Sequence, residues 1–236
     1  MIRPGQIFFR FVFLLAGLYP GSPKAQKPVA VFSPDQFTKN ETDQLNQRVG
    51  RNKIIPSRFV KQILIALSYF PALAETEIQF RIIPARTPLE SRPEWRRLIG
   101  GRKSRSYIIT ISSKTIPQLD PILFENLDFN AQIGVIGHEL SHILDFESRS
   151  LMGLVQLGAG QVSKRYLDRF EFRTDSLCIA NGLGHQLLAW SRFVRNALHS
   201  ENWSGAGQIL SGGMKRERYM NPSTIISQMG KLELYL

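Results

Sequence analysis

The chain has 236 residues, 43% hydrophobic and 21% charged, which excludes a disordered chain and suffices for one well-packed domain or two small lobes sharing a cleft. Cys178 is the only cysteine, so no internal disulfide can form. The formal charge is +11, yet no nucleic-acid-binding module accompanies it, so nucleic acid is not an expected partner.

The N-terminus reads as a secretory signal. Arg3 gives a basic start, Ile7 to Tyr19 is strongly apolar, and Pro20, Gly21, Ser22 and Pro23 break the run before Ala25. Residues 1–25 are therefore expected to be a signal peptide and residues 26–236 a single domain exported to the periplasm or the exterior. An uncleaved N-terminal anchor is the alternative. Removing Arg3, Arg10 and Lys24 takes the formal charge from +11 to +8.

Residues 26–55 are polar with few periodic apolar positions and read as an extended lead-in. A helix is expected from Pro56 or Ser57 to about Tyr69, on the apolar stripe Phe59, Val60, Ile63, Leu64 and Leu67, with Pro71 ending it. Glu77–Ile82 alternates as a strand does. Residues 84–105 read as a basic, proline-containing loop. Its cations Arg92, Arg96, Arg97, Arg102, Lys103 and Arg105, with Lys215, Arg216 and Arg218 later, form either a solvated surface or a contact with an anionic cell-envelope surface. Ser106–Ser112 is rich in β-branched residues and is a second strand.

A helix capped by Asp128 or Asn130 is expected from Ala131 to about Phe146. Residues 147–161 hold three glycines and read as a loop or loose helical link. Further helices are expected over Ser163–Ala180, His185–Leu198 and Ser223–Met229. This order predicts an α+β fold with a small β-sheet lobe, an active-site helix and a mainly helical C-terminal lobe.

The segment His138-Glu139-Leu140-Ser141-His142 lies in that central helix. Histidines four apart stack on one helical face, so their imidazoles can converge on one divalent ion such as Zn2+. Glu139, one position round, can reach a water on the metal's open side and take its proton. The surroundings are apolar, from Ile133 to Ile136 before and Ile143-Leu144 after, so three polar residues there demand partners. Gly134 and Gly137 weaken a helix interior, which points to close packing of another element against them.

A catalytic zinc site needs a third protein ligand. Glu171 on the next helix is the chosen candidate. Asp175, one turn later on the same face, is placed to accept the free ring N–H of a ligand histidine. Asp145, His185 and His199 are rivals for supporting or ligand roles, and Tyr166 or Tyr219 can offer an O–H to a developing oxyanion.

Gly137–His142 followed by Glu171-Phe172-Arg173-Thr174-Asp175 resembles the gluzincin branch of zinc metallopeptidases, over about residues 106–180. The resemblance implies a zincin-like fold, a zinc site of two histidines and one glutamate, and a peptide or protein substrate. It also implies that a strand beside the active-site helix binds substrate by edge pairing. Ser106–Ser112 is placed for that role, with Tyr107, Ile108, Ile109 and Thr110 as substrate-binding residues. The expected activity is peptide-bond hydrolysis by a metal-bound water that Glu139 activates. Hydrolysis of a non-protein cell-wall amide and a catalytically silent binding protein are the alternatives.

Overall fold

The computed structural model describes residues 26–98, 100, 101, 104–160, 163–201, 203, 205 and 218–236. The expected signal segment and the cations Arg102, Lys103, Lys215 and Arg216 lie outside them. The chain is mixed α+β, with a small sheet and a helical second half.

The polar lead-in is corrected. It contains helix α1, Lys39–Val49, and a short strand β1, Lys53–Ile54. Helix α1 fully buries none of its residues, and only Leu45 and Val49 pack against the core, which leaves little apolar stripe to read. A capping box starts it: Glu41 N–H donates to Thr38 Oγ1 at 3.3 Å, and Thr38 N–H donates to Glu41 Oε2 at 2.8 Å. Helix α2, Val60–Ser68, follows a single 3-10 turn at Ser57–Phe59 and buries Ile63 to Leu67.

Strands β2, Glu77–Ile83, β3, Leu89–Pro93, and β4, Ser106–Ser112, complete a four-stranded sheet of order β1-β2-β4-β3. Strands β1, β2 and β4 are parallel, and β3 runs antiparallel to β4. All seven residues of β4 are buried, as befits a strand flanked on both sides and covered on both faces. The basic loop is thereby also corrected. Part of it is β3, and part is the short helix α3, Trp95–Leu98, where Arg97 pairs with Glu77. Arg105 is buried and its Nη1 donates to the carbonyls of Phe146 and Arg149, at 3.2 and 2.9 Å, closing the C-terminal end of the next helix.

That helix is α4, Phe129–Ser148. The Asp128 side chain accepts from Ala131 N–H at 2.8 Å and is the N-cap. Asn130 does something else: its side chain accepts from Phe32 N–H and donates to Phe32 C=O, tying the lead-in to the helix. Of the loop or loose helical link expected over 147–161, the described residues take the helical form: they contain helix α5, Leu151–Gly160, held by the buried Leu154 and Leu157. Helix α6, Lys164–Cys178, runs through a π-type turn with a kink at Gly182 (φ 99°) into α7, Gly184–Ala197. The last helix is α8, Pro222–Met229.

Helix α4 is the hub. It packs on α2, β3, α6 and α7, and residues from Ala131 to Phe146 belong to one hydrophobic cluster that runs through the sheet and the helices. The two interior glycines allow this. A Cβ on Gly134 would lie 2.1 Å from the Gln186 carbonyl oxygen of α7, and one on Gly137 would lie 2.6 Å from a Leu183 methyl. The first obstacle is backbone and cannot rotate away. Gly134→Ala is therefore expected to destabilise the fold by about 1–3 kcal/mol despite alanine's better helix propensity. Urea denaturation checks this; an alanine variant as stable as the parent would contradict the close approach.

Candidate metal centre

Helix α4 presents His138 and His142 on one face, with ring centroids 4.7 Å apart and the rings perpendicular. Helix α6 crosses this face and brings Glu171 between them. Glu171 Oε2 lies 3.2 Å from His138 Nε2 and 3.3 Å from His142 Nε2. All three side chains are buried, and Glu171 Oε2 has no hydrogen-bond partner. His138, His142 and Glu171 are, among the described residues, the one buried group of three whose ligand atoms stand close enough to hold a metal ion.

The second nitrogen of each ring is fixed from behind. His138 Nδ1 lies 2.8 Å from Asp175 Oδ1, so Nδ1–H donates to the carboxylate. Asp175 Oδ2 accepts from the Met220 backbone N–H at 2.7 Å, which docks the C-terminal segment on the same carboxyl. His142 Nδ1 lies 3.1 Å from Thr174 Oγ1, and that hydroxyl donates to Phe170 C=O at 3.0 Å. A hydroxyl has one proton to give, so Thr174 Oγ1 accepts from His142 Nδ1–H. Each ring thereby turns its Nε2 toward Glu171, where it is bare when a metal takes it and, on His138, protonated when none does. Metal-ligating histidines are commonly supported in this way.

Thr174 is absent from the sequence-derived set. Its signal was available: residues 171, 174 and 175 share one helical face, so whichever turn supplies Glu171 and Asp175 also supplies Thr174.

Aromatic rings close the surroundings. Phe170 stacks on His142 with centroids 4.9 Å apart. Trp190 and Tyr219 stand 5.4 and 5.5 Å from His138. On the other side a cavity of about 90 Å³ is lined by Leu89, Val135, His138, Glu139, Trp190 and Tyr219, among others. Glu139 is thus a neighbour of the cluster but not a member of it. Burial raises the Tyr219 hydroxyl pKa, and the charges of Glu171, Glu139 and Asp175 raise it further, so it remains an O–H donor.

The other sequence candidates lie elsewhere. Asp145 is buried but pairs with Arg149 at 2.5 Å and Arg173 at 3.4 Å. His185 packs its ring against Tyr235, and His199 is exposed just beyond α7 with a left-handed backbone (φ 48°). Tyr166 sits against Gly160 at the end of α5. The expectation of a free pairing edge at Tyr107, Ile108, Ile109 and Thr110 is corrected. Those residues are paired with β2 on one side and β3 on the other, and they are buried. The strand that borders the cavity and ends the sheet is β3. No family model, curated protein or solved structure matches the chain, so the chemistry of the centre is read from its own atoms.

Burial opposes charge on His138, but the hydrogen bond to Asp175 and the adjacent Glu171 carboxylate outweigh it and raise the ring's pKa to about 10, against an ordinary 6.5. Burial likewise opposes charge on Glu171, and the two histidines overturn that, holding its carboxyl well below the usual range. In chelator this interaction stabilises the fold fully below pH 6.5 and fades as pH climbs through about 10. It is likewise lost in acid as Glu171 takes its proton below its ordinary 4.5. A metal ion competes with the proton for Nε2, so metal stabilisation has the opposite slope and grows as pH rises. Thermal unfolding with EDTA and with excess metal, compared from about pH 5 upward, is expected to show the metal-induced gain in Tm smallest at the acid end.

Asp175→Asn and Thr174→Val each leave the three ligands in place but loosen one ring. Each is expected to weaken metal affinity by about 10–100-fold. Competition against a chromophoric chelator measures this, and unchanged affinity in both variants would remove the case for ring positioning.

Proposed function

We propose that this chain is a zinc-dependent hydrolase that cleaves peptide bonds, with a zincin-like arrangement of sheet and active-site helix. The observation that carries the reading is Glu139 on the wall of a cavity that also exposes His138 and is bounded by the end strand of the sheet. A set of two imidazoles and one carboxylate suits zinc. Four ligands at about 2.0–2.1 Å around a tetrahedral ion stand about 3.3–3.4 Å from each other. The Nε2-to-Oε2 separations of 3.2 and 3.3 Å match such edges. With three protein ligands, one position is left for solvent or substrate.

Zinc held there supplies a Lewis acid and lowers the pKa of a water in its open position toward neutrality. The protein's own groups do the rest. Glu139 accepts a proton from the attacking water and returns it to the leaving amine. Asp175 and Thr174 keep His138 and His142 from turning as charge builds up. Tyr219, held protonated beside His138, offers its O–H to the oxyanion that develops on the attacked carbonyl. An extended peptide can add to the open side of β3 near Leu89, which places its backbone across the cavity mouth. Export through residues 1–25 belongs to the same reading.

Glu139→Gln is the decisive variant, because Glu139 is not a ligand. It is expected to keep about one zinc per chain and to lose about 10²–10⁴-fold in turnover of a quenched-fluorescence peptide library. Full hydrolysis by a zinc-loaded Glu139→Gln protein would overturn the mechanism. Release of fragments from cell-wall polymer without any peptide-library cleavage would move the substrate to a non-protein amide.

A further inference from the structure

Helix α5 has no charged residue along its ten positions. Leu154 and Leu157 point into the core, yet the outward face is apolar too: Leu151, Met152 and Val155 are 47%, 65% and 55% exposed. On a helical wheel Gly158 and Ala159 fall in the same outward arc, leaving Gln156 as its single polar member. A surface helix normally turns a charged face to water. Isolated exposed apolar side chains are ordinary, but an outward face made almost wholly of them marks a contact site.

The next helix is cationic. Helix α6 carries Arg165, Arg169 and Arg173 at four-residue spacing, all exposed, with Lys164 beside them. The two helices are joined at two points. A Cβ on Gly160 would stand 2.7 Å from the Tyr166 ring, and Arg149, just ahead of α5, shares Asp145 with Arg173. The acidic residues between positions 149 and 173 are both engaged: Asp168 pairs with Arg218, and Glu171 belongs to the metal cluster. Among the described residues, this stretch therefore shows solvent no exposed carboxylate. A protein partner of ordinary surface chemistry asks for no such one-sided charge. A bilayer leaflet rich in anionic phospholipid asks for both parts, an apolar helix face to enter the acyl boundary and cations to meet the phosphates.

We propose that α5 seats the protein on an anionic membrane surface, with Leu151, Met152 and Val155 in the acyl boundary and Lys164, Arg165 and Arg169 on the headgroup phosphates. No helix of the described residues is long and apolar enough to cross a membrane, so this is a contact lying in the interface. The inference is independent of the reaction proposed above.

The test uses the full chain with an environment-sensitive dye attached through Met152→Cys. Cys178 is fully buried, so labelling is confined to position 152. The dye reports α5 itself, whatever else of the chain touches lipid. Mixing with phosphatidylcholine vesicles containing phosphatidylglycerol is expected to shift the emission to the blue. Pure phosphatidylcholine is expected to bind at least tenfold more weakly. Replacing Arg165 and Arg169 together by glutamine is expected to weaken binding to the anionic vesicles by roughly 30-fold, about fivefold for each cation removed. Circular dichroism of the variants confirms that both are folded. No shift with either vesicle would overturn the proposal. So would equal binding to both vesicles that ignores the arginines, or a shift that appears without lipid and grows with protein concentration, which would assign the face to a second copy of the chain.

Discussion

His138, His142 and Glu171 meet at one point inside an apolar core, where a buried carboxylate needs a cation beside it, and the fold is organised to hold the three together. Desolvation alone would turn each group away or neutralise it. Helix α4 is fixed, because its glycine face is pressed on the backbone of α7 and its C-terminus is closed by Arg105. Helix α6 cannot retreat, because Asp175 and Thr174 on it grip the backs of both rings. The cluster is thus held in place by packing, and a proton on His138 balances the Glu171 charge at a point that could also hold a metal ion.

The same constraint explains which parts were legible in the sequence. The His138–His142 pair was readable because ligand spacing and helix period coincide. The Glu171–Asp175 pair was readable because the first pair needed it and one helical turn could supply both. Gly134 and Gly137 were readable as a packing face because glycine in the middle of an apolar helix has few other uses. Each inference rested on local periodicity.

What was not legible depends on partners distant in sequence. Helix α1 is polar apart from Leu45 and Val49, which only partly bury against the core, so periodicity had little to detect. Arg105 looked like one more surface cation, and only the arrival of the α4 C-terminus beside it makes it a buried cap. The edge strand was misassigned because strand order is a tertiary property. Tyr107, Ile108, Ile109 and Thr110 form the strongest β-segment, and for that reason they occupy the middle of the sheet, while the weaker and more polar β3 is left at the border. The glycines of helix α5 left a loop and a loose helical link both open, and two buried leucines decide for the helix.

Asp175 has two duties that meet in one carboxyl group. One oxygen orients His138, and the other holds the Met220 backbone amide, and with it the short stretch that carries Tyr219. Sequence variation at this position is therefore doubly restricted. Asparagine can serve one partner but offers a single acceptor oxygen for two N–H donors, and glutamate would push the ring forward. The link also makes the Met220 amide a natural reporter: its hydrogen exchange is tied through one carboxyl to a ring in another helix, so local opening of the C-terminal segment and loosening of His138 belong to one event.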